Sequence, residues 1–165
     1  MFWDRREVEW PPGSGKKAEF RLLGRLGDNH PKLAVCDFRR QRGIYVLYDD
    51  HGPTYVGLAR SQDIGNRLRS HDRDHLRDRW SRFSWFGFRR ILVGCNADGT
   101  RQLGMIPKRL LTKSASTIGD IETLLIETLG TYRTANIQQM RFASAERWSQ
   151  IPRVDRDHYL HKIAR

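Results

Sequence analysis

Gly43-Ile44-Tyr45-Val46-Leu47-Tyr48, Asp49-Asp50-His51-Gly52-Pro53 and Thr54-Tyr55-Val56-Gly57-Leu58 follow one another without a gap, and this run decides the fold. The outer segments are β-branched and aromatic, which suits pleated strands. The middle segment is turn chemistry. Together they predict a β-hairpin. Tyr45 and Tyr55 share a sheet face only if paired residues add to an even number. A turn centred on His51, with a loop of about three or five residues, gives that register and sets Gly57 opposite Tyr45. A glycine there leaves room beside the phenol for a substrate phosphate. The plainer alternative is that both tyrosines are ordinary strand aromatics.

Beyond the hairpin, a helix is predicted from about Ser61 to Arg79, with Ile64, Leu68 and Leu76 as its apolar stripe. On it Arg67, His71 and His75 recur at i, i+4 and i+8 along one line. Arg69, Arg73 and Arg77 form a second, wholly basic line, either a phosphate-tracking edge or a solvated face. An arginine at the core boundary, as Arg67 is, needs an anionic partner. His71 and His75 do not make a zinc-protease helix, because Asp72 stands where that motif requires glutamate. Phe83 to Val93 is apolar at both parities over much of its length, which predicts a central strand covered on both faces. Its aromatics read as core, although exposed rings such as Trp80 or Trp85 would suit base stacking. Residues 95–117 read as an irregular excursion turning at Ala97-Asp98-Gly99. A second helix is predicted over Thr117 to Leu129, stopped by Gly130. Its apolar arc of Ile118, Leu125, Ile126 and Leu129 contains Glu122, whereas Glu127 lies on the polar side. A carboxylate on an apolar face needs a cation or a hydrogen-bonded partner. For Glu122 that means a metal ion or a salt bridge to an arginine.

The two ends are less regular. Residues 1–41 read as an N-terminal extension packing on or linked to the domain. Gly13-Ser14-Gly15-Lys16-Lys17 within them fails as a phosphate loop, since Trp10 replaces the first glycine and Lys17 the magnesium-binding Ser or Thr. Residues 42–137 form the domain, and 138–165 a C-terminal extension with a short helix at about Val154 to Ala164.

Composition sets the partner class. The 165-residue chain carries 30 Lys and Arg against 19 Asp and Glu, a formal charge of +11. That surplus favours a polyanion through counterion release, against the alternative of a merely solubilising surface. No apolar run approaches the roughly 18 residues of a membrane span, and the first residues lack the apolar stretch of a signal peptide. A cytoplasmic, intracellular protein with no membrane partner is expected. Cys36 and Cys95 form no zinc pattern and are expected to be reduced thiols.

The ordered motifs resemble the GIY-YIG nuclease superfamily. Gly43-Ile44-Tyr45 and Tyr55-Val56-Gly57 look like its paired signature. Gly57-Leu58-Ala59 resembles its continuation, and Arg67-Leu68-Arg69-Ser70-His71 is similar to its helix-borne arginine with a histidine four residues later. Glu122-Thr123-Leu124-Leu125-Ile126 resembles its metal-binding segment, and Asn136 sits where many members end the motif with asparagine. The resemblance covers residues 42–137 and implies an α+β domain with a central three-stranded antiparallel sheet flanked by helices. It also implies an endonuclease that hydrolyses phosphodiester bonds with one divalent cation, magnesium or alternatively manganese, on Glu122. Tyr45 would be the general base, directly or as a phenolate stabilised by Arg67 and the metal. Arg67 would hold a phosphate oxygen, Tyr55 would position phosphate or water, His71 would transfer a proton or contact phosphate, and Asn136 would orient substrate or the glutamate. Gly43, Gly57, Arg69, Arg73 and Arg77 are expected on the substrate-binding side. DNA is favoured over RNA, and either a monomer or a homodimer fits. The rival expectation is a non-catalytic nucleic-acid-binding module on the same fold.

Overall fold

The structure is a computed structural model and describes residues 2–8, 10, 20–59, 61–107 and 146–164. The expected second helix with Glu122, and Asn136 beyond its end, lie outside the described residues. Two sheets dominate what is described. In the first, β1 (Trp3–Asp4), β6 (Arg82–Gly87), β4 (Gly43–Tyr48) and β5 (Pro53–Ala59) lie side by side, with every neighbour antiparallel. In the second the order is β7 (Ile91–Cys95), β8 (Arg101–Leu103), β3 (Ala34–Asp37), β2 (Leu23–Leu26) and β9 (Ser149–Gln150), with β3 and β8 parallel. The described α-helices are α1 (Ile64–His71) and α2 (Arg156–Ile163). None of the described helices is long and apolar enough to cross a membrane.

This corrects the expected architecture of one three-stranded sheet flanked by helices. The first sheet gains an edge from Trp3 and Asp4, and a second sheet forms mostly from stretches read as irregular or as extensions, joined by the end of the expected Phe83 to Val93 strand. Those added strands run for only two to five residues, too short for alternation to stand out. The strand expected over Phe83 to Val93 is in fact two strands in different sheets. Gln41 breaks it: its side-chain carbonyl accepts from Arg89 N at 2.8 Å, and its amide donates to Arg89 O at 3.1 Å. A side chain thus takes over the backbone groups that a strand neighbour would otherwise use.

The hairpin reaches the expected register by another route. Tyr45 pairs with Gly57 and Leu47 with Tyr55, but Tyr48 pairs with Pro53 across the turn 49–52. The loop is therefore not centred on His51 with an odd number of residues. Thr54 is the extra residue of a β-bulge, and its hydroxyl donates to Leu47 O at 3.2 Å. The bulge restores the even pairing that the turn alone would have lost.

From the bulge onward, odd-numbered residues of β4, β5 and β6 face one core. Tyr45, Leu47, Phe83 and Ala59 meet Ile64 and Leu68 of α1 there, with Trp3, Phe38 and Trp148 from outside the hairpin. Aromatic edges pack tightly, as between Trp3 and Phe83 at 5.8 Å and Phe38 and Trp148 at 5.2 Å. Trp80 is buried and Trp85 packs against the core, so neither ring is a free stacking platform.

Candidate active site

Two strands and one helix bring four side chains together. Tyr45 lies on the core face of β4, and Tyr55 lies on the same face of β5, with ring centroids 6.1 Å apart. Arg67 and His71 sit four residues apart on α1, so both point at that face. The helix ends at His71, which corrects the expected run to Arg79. Asp72 is its C-cap, and Asp74 then takes Leu76 N–H on its Oδ1 at 2.8 Å. Aspartates favour such turns because their side chains compete for backbone donors. The expected stripes therefore stop at His71. His75 turns to solvent, and of the basic line only Arg69 remains helical, while Arg73 and Arg77 stand exposed in the turns that follow.

The phenol of Tyr45 is the centre. It is fully buried, and its oxygen lies 2.8 Å from His71 Nε2 and accepts from Arg67 Nε at 3.4 Å. His71, only 3% exposed, stacks edge-on against Tyr55 at 4.9 Å. Its other nitrogen, Nδ1, is 2.7 Å from Asp74 Oδ2. Gly57 makes the arrangement fit: a Cβ there would fall 2.1 Å from Tyr45 Cζ and 2.3 Å from its oxygen. The space beside Gly57 thus holds the phenol itself and not a substrate phosphate. Gly43 serves packing in the same way, for a Cβ on it would meet Phe86 O at 1.9 Å.

Electrostatics follow burial. Desolvation pushes the Tyr45 phenol up to about 12, and Tyr55 adds to that while the Arg67 guanidinium partly offsets it. The phenol is a proton carrier at neutral pH and not a standing phenolate. Its hydrogen bond in turn holds Arg67 in the charged form. Burial raises Asp74, but hydrogen bonds from Leu76 N–H and His71 outweigh it and hold the carboxyl below its ordinary value.

No family model matches this chain, and no curated protein or solved structure is significantly similar to it. The GIY-YIG likeness therefore rests on the motifs themselves. Of the residues those motifs single out, Tyr45, Tyr55, Arg67, His71 and Gly57 converge, Gly43 stands at the far end of β4, and Glu122 and Asn136 are outside the described residues. No cluster of three or more metal-ligating side chains exists among the described residues. The carboxylate in contact with the cluster, Asp74, is already committed to His71 and Leu76. The described residues therefore do not by themselves make a metal site.

Sequence reasoning passed over Asp74 and Arg5. Arg5 is ion-paired with Asp72, donates to Arg77 O at 2.5 Å and to Trp80 O at 3.2 Å, and lies 4.7 Å over the Trp80 ring. It pins the segment carrying Asp74 on both sides. The available signal for Asp74 was its place three residues after His71. Nothing in the local sequence marked Arg5.

Proposed function

We propose that this chain is a phosphodiester hydrolase acting as an endonuclease on nucleic acid, DNA before RNA. The convergence of Tyr45, His71 and Arg67 on one phenolic oxygen carries this reading. Arg67 is a permanent cation at the rim of a buried polar cluster, suited to a non-bridging phosphate oxygen as charge builds. The Tyr45 oxygen is sealed in this structure, and it offers a lone pair to a water molecule once Arg67 leaves it for a substrate phosphate. As the water oxygen attacks phosphorus, its proton passes to Tyr45 while the phenolic proton passes to His71 Nε2. The bond to the leaving ester oxygen breaks, and that oxygen departs with the electron pair. A buried phenol near 12 is a poor base alone but a competent relay. Tyr55 walls the cluster and orients the phosphate or the water.

The charge of +11 supports the polyanionic substrate, and a cytoplasmic location fits it. A divalent ion, magnesium first, with Glu122 as its ligand, belongs to this proposal and would supply charge neutralisation at the phosphate. No proton transfer above passes through it. The test is incubation with single-stranded, duplex and branched DNA and with RNA, each with and without magnesium or manganese. Folded Arg67→Ala, Tyr45→Phe and Glu122→Ala proteins serve as controls. Cleavage lost in Arg67→Ala and Tyr45→Phe is expected. Tight binding of these polymers without cleavage under any condition would replace the reading with a non-catalytic binding module.

A further inference from the structure

We propose that Asp74 is a positioning residue that holds His71 in the Nδ1–H tautomer, so that Nε2 is free to take the proton of Tyr45. The inference rests on the reading of Tyr45 and His71 as the proton-transfer pair. It follows from counting donors and acceptors along one chain of contacts. An arginine guanidinium has only N–H donors, so Arg67 must donate to the Tyr45 oxygen. An ionised carboxylate has only acceptors, so Asp74 Oδ2, at 2.7 Å, must accept a hydrogen bond from His71 Nδ1–H. A neutral imidazole with Nδ1 protonated carries a bare lone pair on Nε2. The 2.8 Å contact between Nε2 and the Tyr45 oxygen is then a hydrogen bond donated by the phenol. With the ring neutral, the order is set from both ends: Asp74 accepts from His71, His71 accepts from Tyr45, and Tyr45 accepts from Arg67. When the phenolic proton moves to Nε2, the positive charge on the ring faces the Asp74 carboxylate.

Asp74 is more than a turn residue. Capping Leu76 N–H needs only Oδ1, yet the second oxygen is aimed at the imidazole. Arg5 fixes the surrounding segment through Asp72, Arg77 O and Trp80 O, which holds the carboxylate against a ring that α1 positions independently. The imidazole is nearly sealed from water, so solvent does not set its tautomer.

Asp74→Asn is the decisive variant. Its amide oxygen inherits the Leu76 N–H, which leaves the NH₂ group facing Nδ1. Nδ1 must then accept, Nε2 becomes protonated, and His71 can no longer receive from Tyr45. A histidine held in the wrong tautomer by an aspartate-to-asparagine change is an established route to lost catalysis. Imidazole nitrogen NMR, recorded on the full chain at a pH where the ring is neutral and assigned with His71→Gln, reads the tautomer directly. The wild type should carry its proton on Nδ1, Asp74→Asn on Nε2, and Asp74→Glu should return it to Nδ1. Cleavage should fall on the order of 10²–10⁴-fold in Asp74→Asn and recover in part in Asp74→Glu. A wild-type proton on Nε2, or an unchanged tautomer in folded Asp74→Asn, overturns the assignment. If the tautomers behave as expected but the wild type cleaves no nucleic acid, the proton order stands and the phosphodiesterase reading falls.

Discussion

Replacing Gly57 with alanine tests the site through a single methyl group. The new Cβ would sit 2.1 Å from Tyr45 Cζ, 2.3 Å from its oxygen and 2.6 Å from Cε1. Ordinary carbon contacts begin near about 3.5 Å, so the ring must retreat by more than about 1 Å. It has little room to do so, since it is fully buried, with Tyr55 at 6.1 Å and His71 at 5.7 Å between centroids. Overpacking of this kind costs about 1–3 kcal/mol, which corresponds to a fall of roughly 2–12 °C in Tm for a domain of this size. A shift of that size also spoils the hydrogen bond to His71 Nε2, now 2.8 Å long, whether it stretches or compresses it. A misplacement of about 1 Å at reacting groups costs on the order of 100-fold in rate. Thermal unfolding, the His71 nitrogen signals and cleavage should therefore change together. An alanine variant with wild-type Tm and unaltered His71 signals would mean the phenol does not lie across Gly57, and the proton relay would go with it.

Three further outcomes are expected. Tyr45 is held protonated up to about 12 in the folded chain but ionises near about 10 when unfolded. Above pH 10 the unfolded state therefore binds fewer protons, and stability falls as pH rises toward 12, by on the order of 1–3 kcal/mol. Denaturant titrations of Tyr45→Phe should lack that share of the alkaline loss. Arg5→Ala removes two backbone-directed hydrogen bonds, an ion pair and a stacked contact from the segment behind Asp74. It should cost about 1–3 kcal/mol, and amide exchange at Leu76 should speed up more than in β4. Burial pushes the Cys36 thiol up to about 12 while Cys95 is exposed. A thiol reagent should therefore modify one cysteine in the native protein and both after unfolding.

How much of this was legible depended on the length of each signal. The hairpin is long and its faces alternate, so Tyr45, Tyr55 and Gly57 could be paired from parity alone. The bulge at Thr54 could not, because a turn of one length plus an extra residue is degenerate with a turn of another. Arg67 and His71 were legible because they lie inside the helix. Past His71 the rule of four fails: the chain turns, His75 swings to solvent, and the residue three positions on meets the imidazole instead. Asp72 and Asp74, which end the helix, carried that information in their preference for capping. The second sheet was hidden because β8 and β9 contribute so few residues that their side chains show no period. Gln41 illustrates a different limit, since its effect on Arg89 depends on a contact between distant parts of the chain.

The ends of the chain matter to the site as much as the motifs do. Trp3, Phe38 and Trp148 lie outside the hairpin and α1, yet each is at least 94% buried in the core that backs Tyr45. Truncating a single buried aromatic costs about 3–5 kcal/mol, so losing all three would rival the whole 5–15 kcal/mol or so of a typical domain. The connections are specific as well. Gln150 holds Asp4 by a pair of hydrogen bonds at 2.7 and 2.9 Å, and Arg5 N donates to Ser81 O at 2.9 Å. The C-terminal segment thus fixes β1, β1 delivers Arg5, and Arg5 secures the segment bearing Asp74. The proton order at Tyr45 is therefore set by residues on both sides of the motif-bearing stretch, and residues 42–137 alone do not contain everything that positions the phenol's partners.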